Sequence, residues 1–518
     1  MAKKTKNPGE TDAAAAKSPQ TNSPFLWLLT LLLAVAFVSM GLVGHAPWTE
    51  EEAYSLAAVE SILESGDYLV PEVDGEPALE TPPLYYMTSA ALAEALADRM
   101  PAPQAARLAT GVYLALTLFF TALFAGAAWR PGKEQSAPVG IGPAAVLVLI
   151  STLGIVWYGH DMSADSALMA GMAMGLYGMT MVPRKVLTGG LWLGTGAGIA
   201  FMAKGLFGPV VLLAGVVVMM LIGIAKLWRY LRGIVVALLF ALPWLVIWPI
   251  LLQQRDPALF DAWLATSSLD TLLGSFSLGT PEQQLQWLWI FLVMAFPAWL
   301  LAVIALVVRP GALFGFAGVR AALIVAVLGW AAIITSTAVG LIYGLALLVP
   351  LAALGAGGLH RVPRWVVWPV HWLSVLLFGA LAVVLWAGWI WILYQGSPPP
   401  IAGLAKYLPT DYEFQWQPAV YVTGAAVSLI WLWVVMRFRP SRPAALLAWP
   451  VGIVMFWSLL ALHQPWIDAA IAEGKLAKTV PAELLPDASP AALPAEPAPS
   501  DTPAAGDAPA AAPATGPM

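Results

Sequence analysis

Between His45 and Asp98 the chain carries twelve carboxylates and no lysine or arginine. Three of them, Glu50, Glu51 and Glu52, are consecutive within Trp48-Thr-Glu-Glu-Glu-Ala-Tyr54. A carboxylate can take the proton of an attacking hydroxyl, so this cluster can supply a general base. It can equally be the solvated first turn of a surface helix, where acids are favoured in any case. Further along, His160-Asp161 and Asp165 stand at the end of an apolar run, and Lys204 stands alone between two others. A lone charge at the membrane edge is costly unless it is paired. Lys204 can bind an anion such as phosphate, pair with Asp161 or Asp165, or snorkel; Arg107 and Arg255 are further candidates for an anion. His160 can be a catalyst or a satisfied helix-end residue. There is no cysteine, so no disulfide and no thiolate metal site. No paired-histidine motif and no phosphate-cradling glycine loop is present, although a carboxylate cluster could hold a divalent metal ion.

These residues must be positioned by a membrane bundle. The chain has 518 residues, 60% hydrophobic and 11% charged. A soluble domain carries roughly a quarter of its residues as charges, so most of this surface must face lipid. The apolar residues fall in separate runs, which predicts a bundle of spanning helices. Runs at 25–44, 106–129, 140–158, 165–182, 187–203, 206–226, 232–252, 286–308, 320–338, 341–358, 370–394, 419–436 and 445–462 give thirteen spans. The first is a full span of about 20 residues, longer than a signal-peptide core, and reads as a retained helix. The stretch 84–98 is short and holds Glu94 and Asp98, so it reads as a surface or re-entrant helix. Many of the 25 Trp residues sit near run ends, among them Trp129, Trp157, Trp244, Trp248, Trp368 and Trp389, as expected of an interfacial belt.

Charge distribution supports this count. With the basic N-terminus inside, 18 of the 25 Lys and Arg fall on the inner side and only three of the 30 acids do, as the positive-inside rule requires. Counting 84–98 as a span would invert everything after it. The expected organisation is a cytoplasmic basic segment, 1–24, and a transmembrane domain, 25–462. That domain has outer loops at 45–105, 253–285 and 395–418. An outer tail follows at 463–518, whose Ala/Pro-rich end cannot bury a core. In the first loop, Leu56, Val59, Ile62 and Leu63 recur at helical spacing, so 50–64 reads as an amphipathic helix stopped by Gly66.

The ordered set of motifs resembles a known group. Glu51-Glu52-Ala53-Tyr54, then Leu63-Glu-Ser-Gly-Asp-Tyr-Leu-Val-Pro71, then Pro82-Pro-Leu-Tyr-Tyr86 are similar to the GT-C membrane glycosyltransferases. Within them, the match is to the bacterial branch related to the protein O-mannosyltransferases and the lipid A aminoarabinose transferase. That family has an Asp-Glu pair at the mouth of the first outer loop, a Ser-Gly-Asp-aromatic stretch and a Pro-Pro-Leu-x-Tyr turn. Asp165 fits its second acidic position, and Ala203-Lys-Gly-Leu-Phe-Gly-Pro209 resembles its Lys-Gly-Pro turn. Leu242-Pro-Trp244, Phe296-Pro-Ala-Trp299, Tyr343 before Pro350, and Pro465-Trp-Ile-Asp468 fit later elements. Two departures stand out: the leading acid is Glu51 rather than Asp, and the family's Lys before the Pro-Pro pair is Thr81.

The resemblance implies an all-α GT-C bundle in a bacterial inner membrane. It implies an inverting transfer of a sugar from a polyprenyl-phosphate donor to a lipid, glycan or protein acceptor on the outer face, with no nucleic-acid partner. It assigns the base to Glu51, with Glu52 and Asp165 orienting it or the acceptor. Donor phosphate contacts would come from Lys204, Arg107, Arg255 and Tyr343, the last of which can equally be a packed interface residue. Glu50, Asp161, His160, Tyr54 and Tyr85 would support the acceptor side. Two other classes stay open: a non-catalytic remnant or assembly protein with the same fold, and a lipid-linked-sugar transporter.

Overall fold

Apolar helices dominate the chain, because a backbone in lipid must satisfy its polar groups within its own segment. The computed structural model describes residues 24–130, 140–222, 227–265, 280–335, 341–396, 399 and 416–472. The expected basic N-terminal segment, most of the third outer loop and the tail beyond 472 lie outside the described residues. The first helices are α1 (Pro24–Ser39), α2 (Glu50–Ser65), α3 (Leu84–Ala95), α4 (Ala102–Ala128), α5 (Ile141–Ile150), α6 (Leu153–Tyr158) and α7 (Ala164–Met181). Next come α8 (Val186–Lys204), α9 (Phe207–Leu221), α10 (Leu227–Arg255), α11 (Pro257–Trp263), α12 (Pro281–Met294), α13 (Ala298–Val308) and α14 (Ala312–Gly315). The last are α15 (Ala317–Thr335), α16 (Leu345–Ala356), α17 (Arg364–Gln395), α18 (Pro418–Arg437), α19 (Ala448–Leu460) and α20 (Gln464–Ala472). The only strands among the described residues are the two-residue pair β1 (Glu72–Val73) and β2 (Glu76–Pro77), antiparallel in the first outer loop.

Among the described residues, seven helices are long and apolar enough to cross a membrane, or eight if α12 and α13, bent by 85°, form one span. The most apolar windows of α10 and α17 are only 17% and 11% buried. Such faces can rest only against lipid, so the protein is a polytopic membrane bundle. The other expected spans correspond to shorter or less apolar helices. Four helices of 10–17 residues are apolar (Pro24–Ser39, Ile141–Ile150, Phe207–Leu221 and Ile342–Ala356), and α7 is 18 residues rich in Gly, Ala and Met. The expected run 140–158 is broken at Ser151–Thr152 into α5 and α6. The run 286–308 is broken at Ala295–Pro297.

The tightest packing joins α7 to α8, and α8 to α10. Small residues permit it, as is usual where lipid supplies no hydrophobic drive between helices. A Cβ on Gly178 would stand 2.2 Å from the Leu193 backbone nitrogen, and one on Gly196 2.4 Å from that of Gly175. The run-end tryptophans differ in burial, with Trp244 and Trp389 half-buried. Trp157 and Trp368 are exposed, as a belt requires. Trp129 and Trp248 are buried and donate Nε1–H to the carbonyls of Ala353 and Leu69. Their polar tips found internal acceptors, so position at a run end did not make them interfacial.

The stretch 84–98 contains the 12-residue helix α3. At about 1.5 Å per residue it cannot cross a hydrocarbon core of about 30 Å. It packs instead on α4 and α2. Helix α2 ends at Gly66, whose φ of +71° is the left-handed stop the sequence predicts and whose N–H returns to the Ile62 carbonyl. Its buried face is Glu52, Ser55, Ala58, Val59 and Ile62. One carboxylate thus sits on an otherwise apolar or small face.

Candidate active site

Three helix ends converge at this end of the bundle. Helix α2 begins at the N-cap Thr49, whose hydroxyl accepts the Glu52 N–H at 3.2 Å. Glu52 Oε2 in return accepts the Trp48 N–H at 2.8 Å, a variant of the reciprocal capping box. Helix α7 begins at the N-cap Ser163, whose hydroxyl accepts the Asp165 N–H at 3.1 Å. Helix α8 ends at Lys204, before Gly205 with φ +67°. Acids at two helix N-termini and a lysine at a C-terminus are each favoured by the helix dipoles.

Glu52 is the buried anchor. Its Oε1 takes Arg107 Nη1 at 2.7 Å, with the two side chains 3% and 1% exposed. The same oxygen accepts the Met162 N–H at 3.2 Å. Burial alone would raise the Glu52 pKa, but the Arg107 charge and hydrogen bond, with the Trp48 N–H, outweigh it and hold the carboxyl below its ordinary value. Arg107 Nη1 also donates to His45 Nε2 at 3.2 Å, while His45 Nδ1–H donates to the Ala46 carbonyl at 2.7 Å. Burial and the Arg107 charge both lower the His45 pKa, which keeps that imidazole neutral. Asp468, on α20, accepts the Ala46 N–H at 3.0 Å and Trp48 Nε1–H at 2.7 Å. The segment 45–48 is therefore held from both sides.

Glu51 differs from Glu52 in one decisive respect: its side chain is 47% exposed. Its Oε1 lies 2.9 Å from Ser163 Oγ and 3.7 Å from Lys204 Nζ. Lys204, 11% exposed, pairs more closely with Asp165 Oδ2 at 3.2 Å. Ser163 Oγ is also 2.6 Å from Asp165 Oδ2. A hydroxyl has one proton, so Ser163 can donate fully to only one of these two carboxylates at a time. Asp165 Oδ1 is buried without a partner. Although one side of Glu51 is open, protein removes water from the rest, and this raises its pKa. Lys204 opposes the shift, and Asp165 adds to it. Asp161, half-buried nearby, is pushed well up by burial and by the charges of Glu52 and Glu51.

The structure thus gathers Glu51, Glu52, Asp161, Asp165, Lys204 and Arg107. Tyr343 joins them, its ring 5.7 Å from Lys204 Nζ and packed on Phe207. Lys204 makes the internal pair with Asp165 rather than Asp161. Arg107 is sealed inside, its charge met by Glu52. Glu50 is exposed at the start of α2. Tyr85 is fully buried, 2.7 Å from the Thr110 hydroxyl. Tyr54 is half-buried, and burial together with Tyr86 and Glu80 raises its pKa. His160 donates Nε2–H to the Phe37 carbonyl at 2.6 Å and lies between the rings of Phe37 and Trp457. Burial takes its pKa down to about 4.

Arg255 is placed elsewhere, paired with Asp67 beyond the other end of α2, which at about 1.5 Å per residue is about 20 Å from Glu51. Ser163 and His45 were not singled out in the sequence, and Asp468 was noted only as the end of the Pro465-Trp-Ile-Asp468 motif, with no site role. Ser163 had one signal, a Ser-x-Asp start to an apolar run; His45 had none. Among the described residues no group of three or more His, Asp or Glu side chains is arranged to hold a metal ion.

The bundle has the fold of a solved membrane protein, ArnT. It is similar to ArnT from Cupriavidus metallidurans bound to undecaprenyl phosphate, with TM-score 0.56 and 17% identity over 86% of this chain and 78% of that one. The apo state of ArnT matches with TM-score 0.54 and 17% identity, over 86% and 76%. No protein-family model and no curated protein matches the sequence.

The buried pair yields the first prediction. Arg107→Met leaves the Glu52 charge buried and uncompensated, which costs about 3–5 kcal/mol. Thermal unfolding in detergent should show that loss. Adding Glu52→Gln should recover part of it, because the buried charge is gone and the single amide oxygen still accepts one of the two N–H groups, that of Trp48 or that of Met162. An Arg107→Met protein as stable as the parent would show that the pair does not anchor α2.

Proposed function

We propose that the chain is an inverting glycosyltransferase that moves a sugar from a polyprenyl-phosphate donor to a lipid, glycan or protein acceptor. The observation that carries the proposal is the single solvent-open carboxylate, Glu51, held against Ser163, Lys204 and Asp165 within a GT-C fold. In the proposed reaction an acceptor hydroxyl attacks the anomeric carbon. Its O–H proton passes to Glu51, the bond from the anomeric carbon to the phosphate oxygen breaks, and the lipid phosphate leaves with that electron pair. A single displacement inverts the anomeric centre. Lys204 has three N–H donors and faces two carboxylates, so its third donor is available to the departing phosphate. Drawn toward phosphate, Lys204 would loosen from Glu51, and the carboxylate would become a better base. Asp161, biased toward its neutral form, can donate a hydrogen bond to a sugar or acceptor oxygen. The ArnT structure that holds undecaprenyl phosphate supports this donor class by likeness of fold.

The site is proposed to face the outer side of a bacterial inner membrane, with thirteen crossings and a cytoplasmic N-terminus. The 18-to-7 division of basic residues supports this orientation. Reporter fusions after Arg130, Arg184 and Arg361 should then read as cytoplasmic, and fusions at Gly75 and in the C-terminal tail as external. A cytoplasmic tail would overturn the odd number of crossings.

Glu51→Gln should abolish sugar transfer in an assay with purified polyprenyl-phosphate sugar, while donor binding stays within about threefold, a change of well under 1.4 kcal/mol. The base works deprotonated, so activity is lost as pH falls through the Glu51 pKa. Because that pKa is raised, the acid limb should lie above the ordinary glutamate value of about 4.3. Near-normal turnover in the Gln variant would exclude Glu51 as base. Absence of transfer by the parent with every donor tried, alongside intact donor binding, would favour the non-catalytic reading.

Lys204→Met should weaken binding of polyprenyl phosphate by about 1.5–3 kcal/mol, the scale of a hydrogen bond to a charged group. It should also destabilise the protein, because Asp165 loses its cation. Combining it with Asp165→Asn should restore stability but not donor binding. Recovery of both would confine Lys204 to the internal ion pair.

A further inference from the structure

The acidic site occupies the end of the bundle where α1 and α8 finish and α7 begins. Where α1 and α5 begin, a separate cavity of about 270 Å³ opens between α1, α5, α13, α17 and α19. Its walls include Leu26 on α1, Ala144 and Val148 on α5, Leu301 on α13, and Val370 on α17. It follows α5 from Gly140 to Ser151, about 16 Å at about 1.5 Å per residue. That is about half of a hydrocarbon core of about 30 Å, the depth of one leaflet. The inner end offers no free polar group. The Ser151 hydroxyl donates to Val148 and the Ser151 carbonyl accepts from Trp449 Nε1. A sugar or nucleotide would be stranded here, because buried polar groups need partners. A hydrocarbon chain would not.

The mouth has the opposite character. His360 lines it, and Arg361 and Arg364 follow on the chain, both exposed; exposed Arg442 precedes the lining residue Pro443. Among the described residues none of these three arginines pairs with a carboxylate, since every ion pair lies in or near the first outer loop. Arg309 lies close enough for the Arg361 charge to be felt there. An apolar slot one leaflet deep, with several guanidinium groups near its rim that pair with no carboxylate among the described residues, complements a molecule with a hydrocarbon chain and an anionic head. We infer that this slot binds an anionic glycerophospholipid of the leaflet at the basic end of the bundle. One acyl chain would lie along α5, and the head-group phosphate would sit among Arg361, Arg364 and Arg442.

This site is distinct from the proposed donor site and its test does not involve sugar transfer. Native mass spectrometry of the full chain, purified in a neutral detergent, should show retained phosphatidylglycerol. Added phosphatidylglycerol should raise the melting temperature, whereas phosphatidylethanolamine and inorganic phosphate should not. The triple variant R361Q/R364Q/R442Q should bind phosphatidylglycerol about a hundredfold more weakly, given about 1 kcal/mol for each arginine near an anionic surface and about 1.4 kcal/mol per tenfold. Ala144→Phe fills the slot while keeping every arginine, and should also weaken binding. Attraction of lipid to a basic surface alone would survive that change, so unaltered affinity in Ala144→Phe would overturn the inference. Equal stabilisation by phosphatidylethanolamine, by inorganic phosphate, or preferential retention of a polyprenyl phosphate would overturn it as well. Should one variant fail to fold, the other decides.

Discussion

The ion pair between Arg107 and Glu52 is the constraint on which this site depends. Both side chains are sealed from solvent, so neither charge can be left without the other. The pair ties α2 to α4. Through the Met162 N–H it also ties α2 to the turn before α7. The next residue but two, Asp165, then fixes where Lys204 can sit. Removing the anchor would release the first turn of α2 and with it Glu51, whose own contacts include the Ser163 hydroxyl and a 3.7 Å ion pair with Lys204. Asp468 reinforces the same turn from the far end of the chain by holding Ala46 and Trp48.

Three consecutive glutamates thereby acquire three environments. Successive residues on a helix point about 100° apart, as 3.6 residues per turn requires. Glu50 faces solvent, Glu52 faces the interior and Glu51 points along the seam between them. Glu51 alone combines access for a substrate with a fixed local charge environment. Identical chemistry in the sequence becomes different chemistry in the fold because each backbone position sets a different hydration.

The sequence showed much of the fold and only part of this division. Apolar runs located the long helices, because lipid enforces them. Gly66 was legible because a left-handed stop favours glycine. The acidic turn, Asp165 and Lys204 could be singled out as charges in costly places. What composition could not show was that Lys204 would choose Asp165 over Asp161, or that Arg107 would turn inward. Those outcomes depend on side-chain reach across helices distant in the chain. Trp129 shows the same limit: the end of an apolar run predicts an interfacial ring, yet a free carbonyl on α16 drew its N–H into the core. The breaks at Ser151 and Pro297 were likewise hidden, since a bent apolar segment has the same composition as a straight one.

The balance of charge constrains the proposed chemistry further. Four carboxyl groups, Glu51, Glu52, Asp161 and Asp165, meet two cations, Lys204 and Arg107. Fully ionised, the group would be doubly negative and would repel a donor phosphate. Two features relieve this. Asp161, crowded by burial and by Glu52 and Glu51, is biased toward its neutral form. The raised Glu51 pKa brings a proton within easier reach of a second carboxyl. Thr81, which precedes the Pro-Pro pair, adds no cation to compensate. Donor approach and base strength are therefore in tension: protonating Glu51 admits phosphate more readily but disables the base. As proposed, a single lysine shared between Asp165, Glu51 and the incoming phosphate would resolve that tension, because movement toward the phosphate would weaken its hold on Glu51. In the proposed reaction, the charge needed to bind the donor is thus the same charge whose displacement frees the base.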